Sequence, residues 1–116
     1  MPTAPPESHL PLHPLEFQIL LALAAGQAHA YAVVRDIEER QPAWSRIHPT
    51  NLYRRLWRLE SQGLVAMNRE DADGRKHFAI TALGRRVAVA EATRLRSLLG
   101  EAVAAGVLPR VDEALP

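Results

Sequence analysis

The side chains best suited to chemistry are four arginines close together in the middle of the sequence. Residues 46–59 contain Arg46, Arg54, Arg55 and Arg58 but no acid, although the whole chain has 14 Lys and Arg against 13 Asp and Glu. Guanidinium groups donate hydrogen bonds in a planar fork that matches phosphate oxygens and guanine edges. The segment is therefore a candidate nucleic-acid surface. A solvated helix face is the alternative, and the arginines alone do not distinguish the two.

A helix is expected to position this segment. Pro49 suits the first position of a helix and Gly63 suits the residue after its end. Between them, Leu52, Leu56 and Leu59 recur at the spacing of a buried helical face. With these leucines inward, the polar side chains near the helix start face outward or lie on the flanks, where they could reach base edges. The candidate DNA contacts on this helix are His48, Thr50, Asn51, Tyr53, Arg54 and Arg58.

A second basic cluster, Arg75, Lys76 and His77, follows Gly74. Residues 64–69 and 75–80 read as two strands of a hairpin with Asp73 and Gly74 at its tip. Such a hairpin could lie along the DNA backbone as a wing, and this cluster is its candidate contact. The other arm is acidic, which weakens the case for that arm touching phosphate.

The remaining pattern predicts a mainly α fold of the α+β class. Apolar residues at helical spacing predict a first helix from residue 15 to about 25 and a second from about 31 to 41. Thr81 can cap a last, long helix that runs to about residue 105. Three helices, a hairpin and a helix are the order of a winged helix-turn-helix. We expect a flexible proline-rich tail at 1–14, a winged helix at 15–81, a dimerisation helix at 82–105 and a tail at 106–116.

The last helix carries an apolar seam. This stripe could pack on the first helix of the same chain, but a small domain leaves a helix of this length largely uncovered. We expect a second copy to cover it, and a two-fold dimer predicts a pseudo-palindromic DNA site. The candidate dimerisation residues are Ala88, Ala92, Leu95, Leu98, Leu99 and Val103, with Ala102 on the same stripe.

The sequence NLYRRLWRLESQGLV, followed by GRKHFAITALGRR, resembles the PadR-like family of bacterial winged-helix transcriptional regulators. The similarity extends upstream, so it covers most of the chain between Leu15 and Arg86. The residues in register with the family pattern are Leu20, Leu23, Tyr31, Ile37, Leu52, Tyr53, Leu56, Leu59, Glu60, Gly63, Leu64, Gly74, Arg75, Lys76, Phe78, Ile80, Thr81 and Gly84.

The resemblance implies a repressor-like DNA-binding protein of the compact subgroup, dimeric through its last helix. It places Tyr53 and the residues just before it at the DNA, with Arg75 and Lys76 in the wing. By analogy, a small hydrophobic effector could release repression. The chain departs from the pattern at His48, where Ser or Thr tends to cap the helix. It departs again at Thr50 and Asn51, where Gly and then Thr are common, so its base preference could differ.

Other classes of protein find little support. The chain has no cysteine, no phosphate-binding loop and no catalytic dyad, which argues against an enzyme or a cofactor. His9 and His13 are four residues apart, but Pro11 lies between them, and no histidine pair at a helical spacing has a third ligand nearby. We therefore expect no metal. Trp44 and Trp57 are expected to pack rather than to stack on a ligand. The sequence predicts a cytoplasmic, nucleoid-associated protein with no membrane segment. A winged helix that binds protein instead of DNA is the rival reading.

Overall fold

The computed structural model describes residues 4–41, 47–70 and 72–110. Its order of three helices, a hairpin and a last helix confirms the winged helix-turn-helix prediction. Trp44 and Arg46 lie outside the described residues. The helices are α1 (Pro14–Ala24), α2 (Ala30–Arg40), α3 (Pro49–Ser61) and α4 (Ala82–Ala104), the strands are β1 (Ala28–His29), β2 (Val65–Glu70) and β3 (Lys76–Ile80), and a 3-10 helix (Pro6–His9) precedes them.

Helix α1 is the centre of the fold and contacts α2, α3, α4 and β3. Its apolar side chains point to several sides, because neighbours surround it. The inward leucines of α3 and the apolar side chains of the sheet close the core from the other side. This packing fixes the orientation of α3 relative to the rest of the domain. The most completely buried apolar side chains are Phe78, Ile19, Leu20, Leu23, Ile37, Leu52, Leu56, Leu59, Leu64, Val33 and Val65.

A histidine begins each of the first three helices. In His13, His29 and His48, ring atom Nδ1 accepts a hydrogen bond from the backbone N–H two or three residues later, at 3.1 to 3.2 Å. Each ring thereby pairs one of the donors that a helix start leaves without a partner. At the start of α3, His48 thus makes the capping hydrogen bond that Ser or Thr makes in the family pattern. The departure from the pattern at this position therefore does not remove the cap.

The sheet has the order β1-β3-β2, and all its pairs are antiparallel. Strands β2 and β3 form the predicted wing, with an irregularity in the pairing between Met67 and Arg69. Strand β1 was not predicted from the sequence, because two residues are too few to show an alternating pattern. It places His29 opposite His77 and so joins the start of α2 to the wing.

The segment expected to be a flexible tail is instead packed against α4 over its described part. The 3-10 helix contacts α4, and Leu12 is buried. The N–H of Leu12 donates to Oε2 of Glu91 at 3.0 Å. The prolines exclude an α-helix here, but they allow a 3-10 helix and extended backbone. Leu12 supplies an apolar side chain whose burial stabilises the contact.

Glu91 is a carboxylate inside the contact between this segment and α4, and only 2% of its surface is exposed. Nε of Arg94 donates to its Oε1 at 2.5 Å. The side-chain hydrogen bond from Arg94 lowers the pKa of Glu91 below its ordinary value of 4.5; burial raises it, and the Leu12 N–H lowers it further. The ionised carboxylate is thus the form that stabilises the fold.

Replacement of Glu91 by Gln is expected to lower the free energy of unfolding at pH 7 by about 1 kcal/mol, because the neutral amide keeps an acceptor for Leu12 but loses the ion pair. Since the folded-state pKa is depressed, the contribution of the carboxylate is complete above pH 4.5 and is lost as the pH falls through the lower folded value. Urea unfolding at several pH values should therefore show the two proteins converging in acid. Glu101→Gln, an exposed site on the same helix, should keep the pH profile of the wild type.

Candidate nucleic-acid interface

Helix α3 presents its polar side to solvent. Leu52, Leu56 and Leu59 are buried against the core. Thr50, Tyr53, Arg54 and Arg58 are exposed and Asn51 is half-buried, while His48 is exposed at the helix start. The polar side chains therefore lie on one continuous outer face. No acidic residue occurs in the first turn of α3, so nothing there offsets the partial positive charge of the helix start.

Glu16 of α1 organises two arginines of α3, and sequence analysis missed it. Its side chain is 6% exposed. Its Oε2 lies 2.9 Å from Nη1 of Arg55 and 3.4 Å from Nε of Arg58. A buried carboxylate is stable when it is paired in this way. Arg55 therefore belongs to the structural contact between α1 and α3, whereas Arg58 is tethered but still 63% exposed.

The sequence did contain a signal for this pair. Glu16 shares a helical stripe with Leu20 and Leu23, so the periodicity placed an acid on a buried face. An acid at such a position requires a cationic partner. The sequence could not say which arginine would supply it, because α3 lies some forty residues further along the chain.

The wing carries its predicted basic residues at the end near α3. Arg75 and Lys76 are exposed. His77 is half-buried, and its ring meets that of His29 edge to face with 5.8 Å between centroids. Of the three wing candidates, His77 thus lies towards β1 rather than on the outer surface.

Trp57 connects α3 to the wing. Its ring packs edge to face on Phe78, with 5.8 Å between centroids, and Nζ of Lys76 lies 5.1 Å from the centre of the indole. Trp57 therefore packs within the domain, as expected from the sequence. A cation over the face of tryptophan is stabilised by the ring electrons, and this contact holds Lys76 beside α3.

A cavity of about 380 Å³ lies where α3, the wing and the start of α2 meet. It brings Tyr53 of α3 and the basic residues of the wing together with His29 and Tyr31, which were not among the predicted site residues. Tyr31 is 65% exposed and stacks on His29. Tyr31 is in register with the family pattern, but the sequence does not reveal that the wing lies next to Tyr31 and His29.

The seam on α4 is partly covered by the chain itself. Ala88 packs against the core. Leu95, Ala102 and Val103 are half-buried, and Ala92, Leu98 and Leu99 are exposed. Val89, which was not among the predicted residues, is also exposed. The second half of α4 thus presents apolar side chains to solvent.

Within the described ranges, no group of three or more His, Asp or Glu residues could hold a metal ion. No helix in the same ranges is long and apolar enough to cross a membrane.

Comparison with solved structures identifies the same fold in known regulators. A transcriptional regulator from Clostridium thermocellum superposes with a TM-score of 0.70 at 21% identity, over 81% of this chain and 90% of that one. A PadR family transcription regulator from Clostridium difficile gives 0.66 at 20% identity, over 76% and 93%. The transcriptional regulator BldR from Sulfolobus solfataricus gives 0.67 at 21% identity, over 91% and 70%.

A search of curated protein sequences found no significant match. The family model described as the transcriptional regulator PadR-like family, however, matches residues 19–90, which run from the middle of α1 to the first half of α4. This range includes α3, the wing and the cavity between them. Members of this family are transcriptional regulators and not enzymes. The chain therefore belongs to the PadR-like family of transcriptional regulators.

Proposed function

We propose that the protein is a homodimeric repressor that binds a pseudo-palindromic sequence in double-stranded DNA. The observation that carries this proposal is that α3 and the basic end of the wing lie side by side. Tyr53 and Trp57 of α3 line the same cavity as Arg75 and Lys76 of the wing, so one duplex can touch both elements. An α-helix fits the major groove, and a basic hairpin beside it can follow the sugar-phosphate backbone.

The two elements have different tasks in this proposal. Thr50, Asn51, Tyr53 and Arg54, near the start of α3, contact base edges, because the N-terminal part of a recognition helix enters the groove most deeply. Arg58 and the wing contact phosphates. His48 holds the start of the helix in shape by accepting the N–H of Thr50.

The dimer is proposed to form through α4. Leu98 and Leu99 are exposed together on its second half, where no other described element covers them. Two such helices packed side by side would bury the seam and relate the two copies of α3 by a two-fold axis. The matching DNA site would then have half-sites about one helical turn apart, or a multiple of it.

The experiment that tests this proposal is an anisotropy titration of the protein with its own upstream DNA and with a shuffled duplex of equal length, at several salt concentrations. We expect tighter binding to the native sequence and a log-log salt slope of about −0.9 for each phosphate contacted. Weak, salt-insensitive binding to both duplexes would reject the proposal and favour the protein-binding winged helix. A reporter gene under the same upstream DNA tests the direction of regulation, with repression as the expected result.

Replacement of Lys76 by Ala is expected to weaken binding to both duplexes by the same factor and to reduce the salt slope by about one, because a phosphate contact carries no sequence information.

Replacement of Asn51 by Ala should reduce the binding free energy by about 1 to 3 kcal/mol on the native site and by much less on the shuffled duplex, because a base contact is specific to the sequence. The same titrations measure both effects.

Arg35→Ala is the matched control for Lys76→Ala, since it removes one exposed cation from α2 that neither lines the cavity nor belongs to the proposed dimer seam. It should leave affinity and slope near the wild-type values. If Asn51→Ala and Lys76→Ala give the same profile, the division between base contacts and backbone contacts is incorrect.

A further inference from the structure

We propose that Glu16 is a positioning residue for DNA binding, which holds Arg58 so that one edge of its guanidinium group faces a phosphate of the duplex. The proposal rests on the DNA-binding function proposed above, in which Arg58 contacts a phosphate. It adds a role for α1, an element that does not itself touch the duplex in that proposal. Glu16 lies in the first turn of α1, where it contacts two arginines of α3.

The carboxylate of Glu16 is a fixed anchor. Only 4% of the surface of this residue is exposed. Nη1 of Arg55 donates a hydrogen bond to its Oε2 at 2.9 Å, and the side chain of Arg55 is itself mostly buried. A buried carboxylate that accepts a charged hydrogen bond has few other positions to adopt. Arg55 therefore holds in place the oxygen atom that Arg58 also contacts.

The contact with Glu16 leaves most of the Arg58 guanidinium group available. It is made by Nε, which lies 3.4 Å from the same Oε2. The guanidinium group is planar and has five N–H donors in a fixed arrangement, so a carboxylate at Nε leaves N–H groups of Nη1 and Nη2 for another acceptor. The side chain is largely exposed, and no described residue other than Glu16 pairs with this group. Arg58 can therefore bind Glu16 at one edge and a second anion at another.

The position of Arg58 on α3 makes a DNA phosphate the second anion. Thr50, Arg54 and Arg58 follow one another at four-residue intervals and are all exposed, so they lie along one side of the helix. If the start of this side meets base edges, the DNA backbone passes further along it, at Arg58. An arginine that is already held in one conformation loses less side-chain entropy when it binds a phosphate. The anchor should therefore raise the affinity for DNA.

The charge of Glu16, taken alone, predicts the opposite effect. A carboxylate near the DNA surface repels phosphate, so its removal should tighten binding if Glu16 acts only through its charge. If Glu16 acts by positioning Arg58, its removal should weaken binding. The direction of the change in affinity therefore distinguishes the two roles.

The test is Glu16→Gln in the full chain, titrated with the native and the shuffled duplex at several salt concentrations. We expect the affinity for both duplexes to fall by about three- to tenfold, which is the effect of ordering one long side chain on binding. The salt slope should stay near the wild-type value, because Arg58 keeps its charge. The matched control is Glu91→Gln, the same change at a buried glutamate whose partner, Arg94, lies outside the interface. It should bind like the wild type at a temperature where circular dichroism shows both variants folded.

Substitutions of Arg58 test whether Glu16 acts through this side chain. Arg58→Ala should weaken binding to both duplexes and reduce the salt slope by about one, because a charge is removed. In that background Glu16→Gln should cause no further loss of affinity. A full further loss would mean that Glu16 acts through Arg55 instead, and it would overturn the proposal.

Arg58→Lys tests the geometry without disturbing the buried carboxylate. It should keep the salt slope but lose about three- to tenfold in affinity, because an ammonium group is a point charge without the separate edges of a guanidinium group. Arg58 is exposed, so this variant is expected to fold even if Glu16→Gln does not. An affinity equal to that of the wild type would reject the positioning role.

Other results separate the positioning role from the function on which it rests. Salt-dependent binding by the wild type, with Glu16→Gln equal to it or tighter, would reject the role of Glu16 and leave the DNA-binding proposal intact. A loss confined to the native sequence would make Arg58 a base contact and also reject the proposal. A wild type that binds no duplex would reject both proposals.

Discussion

Replacement of Leu95 by Glu is expected to produce monomers and to lower affinity for the native DNA site by about a hundredfold or more. Leu95 lies between Ala92 and Leu99 on the seam of α4, where a second copy is proposed to pack. The free energy needed to bury a carboxylate there without a partner would exceed the free energy gained from packing the two helices together. A monomer engages one half-site at a time, so it loses the increase in local concentration that links the two half-sites of a dimer.

The matched control is Ser97→Glu, which adds the same charge to an exposed position two residues later, on another side of the helix. It should remain dimeric and bind normally. Light scattering behind a sizing column gives the oligomeric state, and the anisotropy titration gives the affinity. A Leu95→Glu protein that stays dimeric would remove this seam from the proposed interface. A monomer that keeps full affinity would show that one half-site is sufficient.

The elements that the sequence predicts well are those whose signals are local. Helix α3 has Pro49 at its start, Gly63 after its end and a leucine stripe between them, and its observed bounds agree with that prediction. Thr81 begins α4 as expected, since its Oγ1 accepts the N–H of Gly84 at 2.9 Å. These features depend on neighbours within one turn, so a single sequence is enough to find them.

The features that the sequence does not reveal depend on contacts between distant segments. Glu91 pairs with the N–H of Leu12, 79 residues away, and this contact orders a stretch whose prolines alone suggest flexibility. The cavity likewise needs β1 to bring His29 beside the wing. Periodicity identifies which side chains are inside or outside. It does not identify which outside side chains from different elements become neighbours.

Replacement of Gly84 by Ala is expected to lower the free energy of unfolding by about 2 to 4 kcal/mol, the range of severe overpacking. A Cβ at this position would lie 2.0 Å from the carbonyl oxygen of Leu64, far inside contact distance. The clash is with backbone, which cannot rotate away as a side chain could. Thr81 also holds this segment close, because its Oγ1 donates to the carbonyl of Gly63 at 2.6 Å.

Gly100→Ala is the matched control, since it makes the same change on the same helix where a Cβ would meet nothing within 4 Å. There the substitution should stabilise the fold by about 0.5 to 1 kcal/mol, because alanine is the better helix former. Urea unfolding at one protomer concentration, followed by circular dichroism, measures both variants. If the two substitutions change the free energy of unfolding equally, the close contact between Gly84 of α4 and the backbone of Leu64 is incorrect.

The close contact at Gly84 also has a consequence for DNA binding. Helix α4 begins directly after the wing, so the Gly84 contact sets the angle between the winged helix and the proposed dimer helix. In a two-fold dimer, that angle fixes the separation of the two copies of α3. At a temperature where Gly84→Ala remains folded and dimeric, we expect it to lose affinity for the native site more than for the shuffled duplex. Phosphate contacts tolerate a changed spacing, whereas base contacts in two half-sites do not.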